Sequence, residues 1–248
     1  MSIEIIPLER LIISFIPMAL VIFLMRSWGL NYAKACYAIV RMLLQLMLIG
    51  YALIMIFESD SSLVTLGVLS MMILASSWIS LNTVSGASQR KVTEKLRLFS
   101  IALISVLLGG GLMLGIVTQW VLVLEPWFLP NYMIPLAGMI FATAMTSISL
   151  AGERLQSELF QGKPYGEARK VAFNTSMIPN INAMFAVGLV SLPGMMTGQI
   201  LSGVSPFIAA RYQIMVMCML FSAAGISSFI FLFLAKNKVK LFSDTQDN

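Results

Sequence analysis

The stretch GLVSLPGMMTGQILSGVSPFIAARYQ, residues 188–213, decides the fold of this chain. It is strongly apolar, yet it contains helix breakers at Leu192-Pro193-Gly194 and at Ser205-Pro206, because proline lacks a backbone donor and clashes with the preceding turn. Between the breaks, Gly194, Gly198 and Ser202 recur every four residues and share one helical face. The pattern indicates either a surface that another helix or a ligand approaches closely, or a kinked span packed on its neighbours.

The composition indicates an all-α integral membrane protein. Hydrophobic residues make up 58% of the 248 and charged residues only 11%, and the mean hydropathy is +0.89. Soluble domains carry about 25% charged residues. The formal charge of +5 does not indicate a nucleic-acid partner, because the basic residues are scattered between apolar runs and form no continuous patch.

The residue types also restrict the chemistry. There is no histidine, the commonest metal ligand and general base, so no Ser-His or Cys-His nucleophile can form. Cys36 and Cys218 fall within or beside apolar runs and are typical of small buried hydrophobes, not of a disulfide framework. No GxxxxGK[ST] phosphate loop is present. We therefore expect neither an enzyme nor a cofactor bound to this chain, and if the chain takes part in ATP-driven transport, the ATPase is another polypeptide.

The apolar runs predict a single polytopic domain over residues 1–248 with about seven transmembrane helices, the sixth broken at Pro193-Gly194. Each run is close to the roughly 20 residues that cross a bilayer. The first lacks a basic start and a cleavage site, which favours a retained span over a signal peptide. A disordered polar tail is expected over 241–248. The predicted spans are 11–25, 38–57, 62–81, 99–124, 132–151, a sixth that begins near 176 and breaks at Pro193, and 212–235. Residues 176–211 are either one kinked span or a span followed by a re-entrant or surface helix.

The basic residues predict the orientation. Alternate connections hold 14 of the 16 lysines and arginines, and the opposite set holds only Arg10 and Arg211. Positive loops stay in the cytoplasm, so the N-terminus is predicted outside and the C-terminus inside. The cytoplasmic set is Arg26, Lys34, Arg41, Arg90, Lys91, Lys95, Arg97, Arg154, Lys163, Arg169, Lys170, Lys236, Lys238 and Lys240.

Polar residues within the predicted spans are candidates for a substrate path, because such residues are costly in a membrane. Arg41 and Gln45 lie four apart on one face of the second span. They either line a path, or Arg41 reaches the cytoplasmic surface while Gln45 bonds a neighbouring helix. In the fifth span, Thr146, Ser149 and Glu153 share a face. They either lead to a cytoplasmic carboxylate, or form interhelical hydrogen bonds with Glu153 in solvent.

Two further patterns concern packing and metals. Gly109-Gly110-Gly111 and Gly115 contain a GxxxG, which predicts a close helix crossing. The 19 methionines are many for this length; thioethers favour Cu(I) as ligands, but they also serve as adaptable packing. Met195 and Met196, at the predicted break, are the methionine candidates for a metal site, and Glu153 is the carboxylate candidate.

The stretch LPGMMTGQIL, residues 192–201, resembles the signature of the FetB-type family of ABC-transporter permeases. That family is implicated in iron export and is related to a plant aluminium-tolerance permease. The residues that follow also resemble its pattern, namely Gly203, Pro206 and Arg211-Tyr212-Gln213. Upstream, so do Arg41, Gln45-Leu46 and Gly152-Glu153-Arg154-Leu155.

The resemblance implies a permease in the bacterial cytoplasmic (inner) membrane that pairs with a second copy and with ABC-type ATPase subunits, which bind the ATP. Iron as the substrate rests on the resemblance alone. The charged segment 152–174, broken by Gly162, Pro164 and Gly166, becomes the expected ATPase dock. The residues expected to couple to the ATPase there are Glu158, Gly162, Glu167 and Ala168.

The break itself is the expected gate. A helix should stop at Pro193, and exposed carbonyls beside Thr197 and Gln199 could contact cargo or move. The full predicted gate comprises Pro193, Gly194, Met195, Met196, Thr197, Gly198, Gln199 and Arg211. The alternative function is an ATP-independent secondary transporter or channel, which would usually show internal repeats.

Overall fold

The computed structural model describes residues 7–58, 61–81 and 92–236. The regular elements in these ranges are all helices, which confirms the predicted fold class. Of the predicted cytoplasmic residues, Arg90, Lys91, Lys238 and Lys240 lie outside the described residues, as does the tail 241–248. The helices are α1 (Leu8–Ile13), α2 (Phe15–Ser27), α3 (Tyr32–Phe57), α4 (Ser62–Leu81), α5 (Val92–Ser105), α6 (Leu112–Ile116), α7 (Pro130–Phe160), α8 (Tyr165–Ala186), α9 (Gly194–Leu201) and α10 (Pro206–Ala235).

The chain separates into two compact units, Met1–Ser59 and Asp60–Asn248. The first contains α1, α2 and α3, and the side chain of Asn31 caps α3 by accepting from the Lys34 amide at 3.1 Å. No residue of α2 or α3 is buried, although both helices are strongly apolar. Their outward apolar surface is that of membrane-exposed helices. The prediction of one polytopic domain stays a prediction.

The architecture is consistent with about seven membrane helices. Six described helices are long and apolar enough to cross a bilayer: Glu9–Ser27, Tyr32–Phe57, Ser62–Leu81, Val92–Val121, Pro130–Phe160 and Pro206–Ala235. The fourth of these is one continuous rod in which π-helical turns at Val106–Gly111 and Val117–Val121 flank α6. α8 has 22 residues, the length of a span, but it is more polar and is not among these six helices.

The core of the second unit lies where α7 and α10 pack against each other and against α4, α5 and α8. Ile140, Phe141 and Ile148 of α7 and Phe231 of α10 are almost fully buried. Small residues of α8 are buried too, so that this more polar helix approaches the others closely. They are Ala168, Ala172 and Ser176.

Interhelical hydrogen bonds identify the two ends of the second unit. Thr65, near the start of α4, donates from Oγ1 to the Phe128 carbonyl at 3.2 Å, just before α7. At the other end, the Tyr165 hydroxyl at the start of α8 donates to the Leu232 carbonyl, near the end of α10. Burial raises the pKa of Tyr165 to about 12, so the phenol remains a neutral donor at physiological pH.

Candidate functional site

The predicted break is present and begins earlier than Pro193. α8 ends at Ala186, and residues 187–193 fold into turns in which the amides of Val190 and Ser191 donate to the Ala186 carbonyl at 2.8 and 3.0 Å. Pro193 then precedes the first turn of α9 as its N-cap, where its missing N–H costs nothing. The non-helical segment is therefore wider than a simple kink.

A second interruption separates α9 from α10. Gly203 adopts φ +92°, a left-handed conformation that glycine accepts without strain. Its amide donates to the Ile200 carbonyl, and the Val204 amide donates to the Gln199 carbonyl, both at 3.0 Å. This Schellman arrangement caps α9, and Pro206 starts α10.

The predicted free carbonyls beside Thr197 and Gln199 are not free. The Pro193 carbonyl accepts from the Thr197 amide at 3.0 Å and from its hydroxyl at 3.1 Å. The Gln199 carbonyl is used in the α9 cap. The short helix α9 captures these groups because Pro193 allows it to start at Gly194. What α9 does leave unpaired is the buried side-chain Oε1 of Gln199.

The small-residue face of α9 is open. Gly194 and Gly198 are exposed, and a Cβ built on either would meet no described atom within 4 Å. Ser202 is also exposed and donates from Oγ to the Gly198 carbonyl at 2.8 Å. The face predicted for a close approach thus exists, and no described residue of this chain covers it.

Met195 and Met196 point to different places. Met195 packs against the hydrophobic core and lines a cavity of about 270 Å³ together with Tyr132 and Tyr212. Met196 lines a separate cavity of about 350 Å³. We call the latter the sulfur cavity; its lining is Met184, Val187, Gly188, Met196, Ala210, Gln213, Ile214, Met217 and Cys218.

Sequence reasoning missed most of the sulfur cavity. Gln213, Met217 and Cys218 lie on one face of α10, and Met184 lies in the last turn of α8. The spacing of Gln213 and Met217 on one helical face was a signal in the sequence. Their approach to Met184 and Met196 depends on how three helices pack.

Two of the path candidates on α7 use their hydroxyls in hydrogen bonds to backbone carbonyls. Thr146 donates to the Ala142 carbonyl of its own helix at 2.9 Å. Ser149 donates to the Ser80 carbonyl of α4 at 3.0 Å, and Glu153 is exposed. Of these two hydroxyls only that of Ser149 makes an interhelical hydrogen bond, and a substrate path along this face stays a prediction.

The remaining polar candidates lie on α3 and α10. Arg41 is half-buried and Gln45 is exposed, one turn apart on α3 in the first unit. Arg211 is exposed near the start of α10. Among the described residues, no three His, Cys, Asp or Glu side chains come together as a metal site. Glu153 therefore belongs to no such group of three among the described residues.

The predicted coupling loop is mostly helical, which corrects that expectation. α7 continues to Phe160 and α8 starts at Tyr165, so only residues 161–164 connect them. Gly162 has φ +79°; its amide donates to the Leu159 carbonyl at 3.0 Å, and the Lys163 amide donates to the Glu158 carbonyl at 3.3 Å. The α7–α8 turn is therefore capped and compact.

The predicted coupling residues divide into buried and exposed ones. The side chain of Glu158 is 0% exposed and forms ion pairs with Arg154 and Lys163. Ala168 is also fully buried, because it packs α8 onto its neighbours, and so it cannot contact a partner. Glu167 is exposed, and the first turns of α8 present it together with Arg169 and Lys170.

Comparison with known proteins identifies the family. The family described as "Uncharacterised protein family (UPF0014)" matches residues 8–240. The chain is 35% identical to the UPF0014 membrane protein slr1647 of Synechocystis over 78% of each chain. It is 31% identical to the Probable iron export permease protein FetB of Escherichia coli, over 82% of this chain and 80% of that one.

A plant relative matches as well. The Protein ALUMINUM SENSITIVE 3 of Arabidopsis thaliana is 33% identical over 77% of this chain and 72% of its own length. No solved structure matches the chain. These relatives confirm the resemblance carried by residues 192–201 and include a bacterial permease and a plant protein. With its membrane-crossing helices and a match over residues 8–240, the chain is a multi-pass membrane protein of the UPF0014 family.

Proposed function

We propose that the chain is the membrane-spanning permease subunit of an ABC transporter that exports metal ions across the bacterial cytoplasmic membrane. ATP is bound and hydrolysed by a separate subunit, since this sequence has no GxxxxGK[ST] loop. Metal export is supported by the name of the relative from Escherichia coli, a probable iron export permease.

The observation that carries this proposal is the construction of the α7–α8 turn. Two cations enclose the buried Glu158 carboxylate, and Gly162 caps the end of α7. In this proposal, a helix start that is fixed in this way transmits a movement of the docked ATPase to the membrane helices. Glu167, Arg169 and Lys170 supply its exposed polar contacts. In this proposal, Glu158 and Ala168 hold the dock in shape and do not touch the ATPase.

In the proposed orientation, this dock lies in the cytoplasm. Lys163, Arg169, Lys170 and Lys236 all lie at the end of the second unit where Tyr165 meets the end of α10, and basic segments remain cytoplasmic. Glu125→Cys and Gln161→Cys, each made in a chain lacking Cys36 and Cys218, should react with impermeant maleimide from the outside and the inside respectively. Reaction of both from one side would refute the orientation.

A second copy of the chain completes the transporter in this proposal. The open face of Gly194, Gly198 and Ser202 is suited to close helix contact within a membrane. Leu189 and Val190, in the adjacent turns, are 90% and 85% exposed. Together they form an apolar surface beside the break that a partner permease can cover.

The test is reconstitution with the candidate ATPase that carries a phosphate loop. Inverted vesicles should accumulate metal only with ATP and both subunits. Glu167→Lys should reduce co-purification of the ATPase and its stimulated hydrolysis. The matched control is Glu125→Lys, an equal charge reversal at the exposed residue near the opposite end of α7, and it should behave as wild type. Bulky residues at Ala168 are unsuitable because they would disturb packing.

The alternative function gives a different result in the same vesicles. A secondary transporter or channel would move metal down its gradient without the ATPase, and Glu167→Lys would leave that flux unchanged. Metal flux that is independent of ATP and of the second subunit would therefore overturn the ABC proposal.

A further inference from the structure

The sulfur cavity brings together soft donor atoms from three helices. Met184 ends α8, Met196 belongs to α9, and Met217 and Cys218 belong to α10. Four of the nine lining residues therefore carry sulfur, and none of the nine is a carboxylate. Such a donor set suits soft cations, whereas hard divalent ions prefer oxygen ligands.

A second feature of the cavity points independently to a ligand. Gln213 lines it and is only 5% exposed, yet its side-chain Oε1 has no hydrogen-bond partner. Leaving a buried amide oxygen unpaired is costly. A cation in the cavity would satisfy this oxygen, whereas an apolar occupant such as a lipid chain would leave it unpaired.

The position of the cavity suits a transported ion. Gln213 to Cys218 lie about 10–18 Å from the N-terminal end of α10, at a rise of about 1.5 Å per residue, and thus within the membrane-crossing length of Pro206–Ala235. Val187 and Gly188, in the non-helical segment, form part of the wall. Met184 and Cys218 are exposed, so the cavity is open to the surface of the chain.

We propose that the sulfur cavity is a binding site for a soft monovalent d¹⁰ cation of the Cu(I) or Ag(I) type, held by the thioethers of Met184, Met196 and Met217 and by the sulfur of Cys218. The Oε1 of Gln213 completes the site. Neutral thioethers match the low charge of such an ion. Cys218 binds as the thiolate, so each ion that enters releases one thiol proton. This inference rests on the proposed function and narrows its substrate class.

The test uses the full-length chain, purified in detergent under reducing, anaerobic conditions, with Cys36→Ser to remove the other thiol. Ag(I) is titrated by calorimetry, and Cu(I) by competition with a chromophoric chelator. We expect one ion per chain. The double variant Met196→Leu/Met217→Leu should weaken binding by about tenfold or more, and Cys218→Ser should abolish proton release.

The matched control removes two other methionine sulfurs, both on α10, in the double variant Met215→Leu/Met219→Leu. Met215 faces the other cavity and Met219 is buried. Leucine preserves apolar volume, and gel filtration and thermal unfolding verify that each variant is folded. An equal loss of affinity in the control pair, or wild-type binding by the Met196/Met217 pair, would overturn the proposal. So would Fe(II) binding that displaces Ag(I) and depends on Met196.

Metal binding by the purified chain and ATP-driven transport are separate measurements, so either the site or the permease function can be refuted without the other. Tight Ag(I) binding without transport in reconstituted vesicles would refute the permease function and leave the site. ATP-driven transport of iron by a chain that binds no Ag(I) or Cu(I) would refute the site and leave the permease function.

Discussion

Two glycine-rich segments, Gly109–Gly111 and Gly194–Gly203, look alike in sequence but lie in opposite surroundings. A Cβ on Gly109 would lie 2.7 Å from the backbone nitrogen of Ser227 and 2.8 Å from its Cα, because α10 crosses directly over this turn. On Gly194 or Gly198 it would meet no described atom within 4 Å. Small residues in a sequence thus indicate a close contact, but they do not show whether the contacting helix belongs to the same chain or to another molecule.

The comparison also refines the predicted GxxxG crossing. The crossing exists, but its contacts come from Gly109 and from Gly110, which faces Phe141 of α7. Gly115 has open space around it. Gly109 and Gly110 both lie in the π-helical turn at Val106–Gly111, and as consecutive residues they face two different helices, α10 and α7.

The largest effect is expected from Gly109→Leu. Its side chain would collide with the backbone of Ser227 as well as with the Ser227 hydroxyl, and because backbone cannot move aside, we expect a loss of about 3 kcal/mol or more of folding stability. The measurements are yield of monodisperse protein and the thermal unfolding midpoint. Gly115→Leu, in the same rod but with open space, is the control and should fold normally. A stable Gly109→Leu protein would contradict the crossing.

Gly198→Leu should leave folding intact and abolish transport, which is the opposite profile to Gly109→Leu. A Cβ there meets no atom of the residues that the structure describes within 4 Å, but a leucine side chain would keep a second copy away from α9. Gly67→Leu, at an open glycine of α4, should transport as wild type. Gly198→Cys, without Cys36 and Cys218, should form a disulfide-linked dimer. Full transport by Gly198→Leu would show that the open face is unused.

Glu158→Gln tests a third kind of contact, the buried ion pairs of Glu158 with Arg154 and Lys163. The substitution leaves Arg154 and Lys163 without their shared buried carboxylate, so the unfolding midpoint should fall and stimulation of the ATPase should weaken. Glu153→Gln removes an exposed carboxylate from the same helix and should change neither quantity. Equal midpoints for the two variants would contradict a structural role for the ion pairs.

The smallest effect is expected from Met195→Leu. Met195 packs on the hydrophobic core, where leucine fills similar volume, so the cost should stay below about 1.5 kcal/mol. Transport should be unchanged. Met196→Leu should weaken transport of Ag(I), because Met196 faces the sulfur cavity. Equal Ag(I) transport by the Met195→Leu and Met196→Leu variants would contradict the assignment of different roles to these neighbouring methionines.

The sequence was sufficient for the membrane class, the helical fold and the break near Pro193, because these depend on local properties. An apolar run of about 20 residues must form a helix in a bilayer to satisfy its backbone, and proline acts on its own turn. The charged segment 152–174 was predicted as a loop for its charge, glycines and proline. Pro164 instead precedes α8 as its N-cap, a position that proline tolerates.

Tertiary packing decided which glycines, carboxylates and methionines are in contact with other parts of the chain. Ser227 covers Gly109 while no described atom covers Gly198, and Glu158 is buried while Glu153 is exposed. Met196 joins Met184 and Met217 in one cavity although they belong to three helices. Periodicity defines the faces of a single helix, but the side chains that meet across helices depend on how whole helices cross, which residues distant in the sequence determine together.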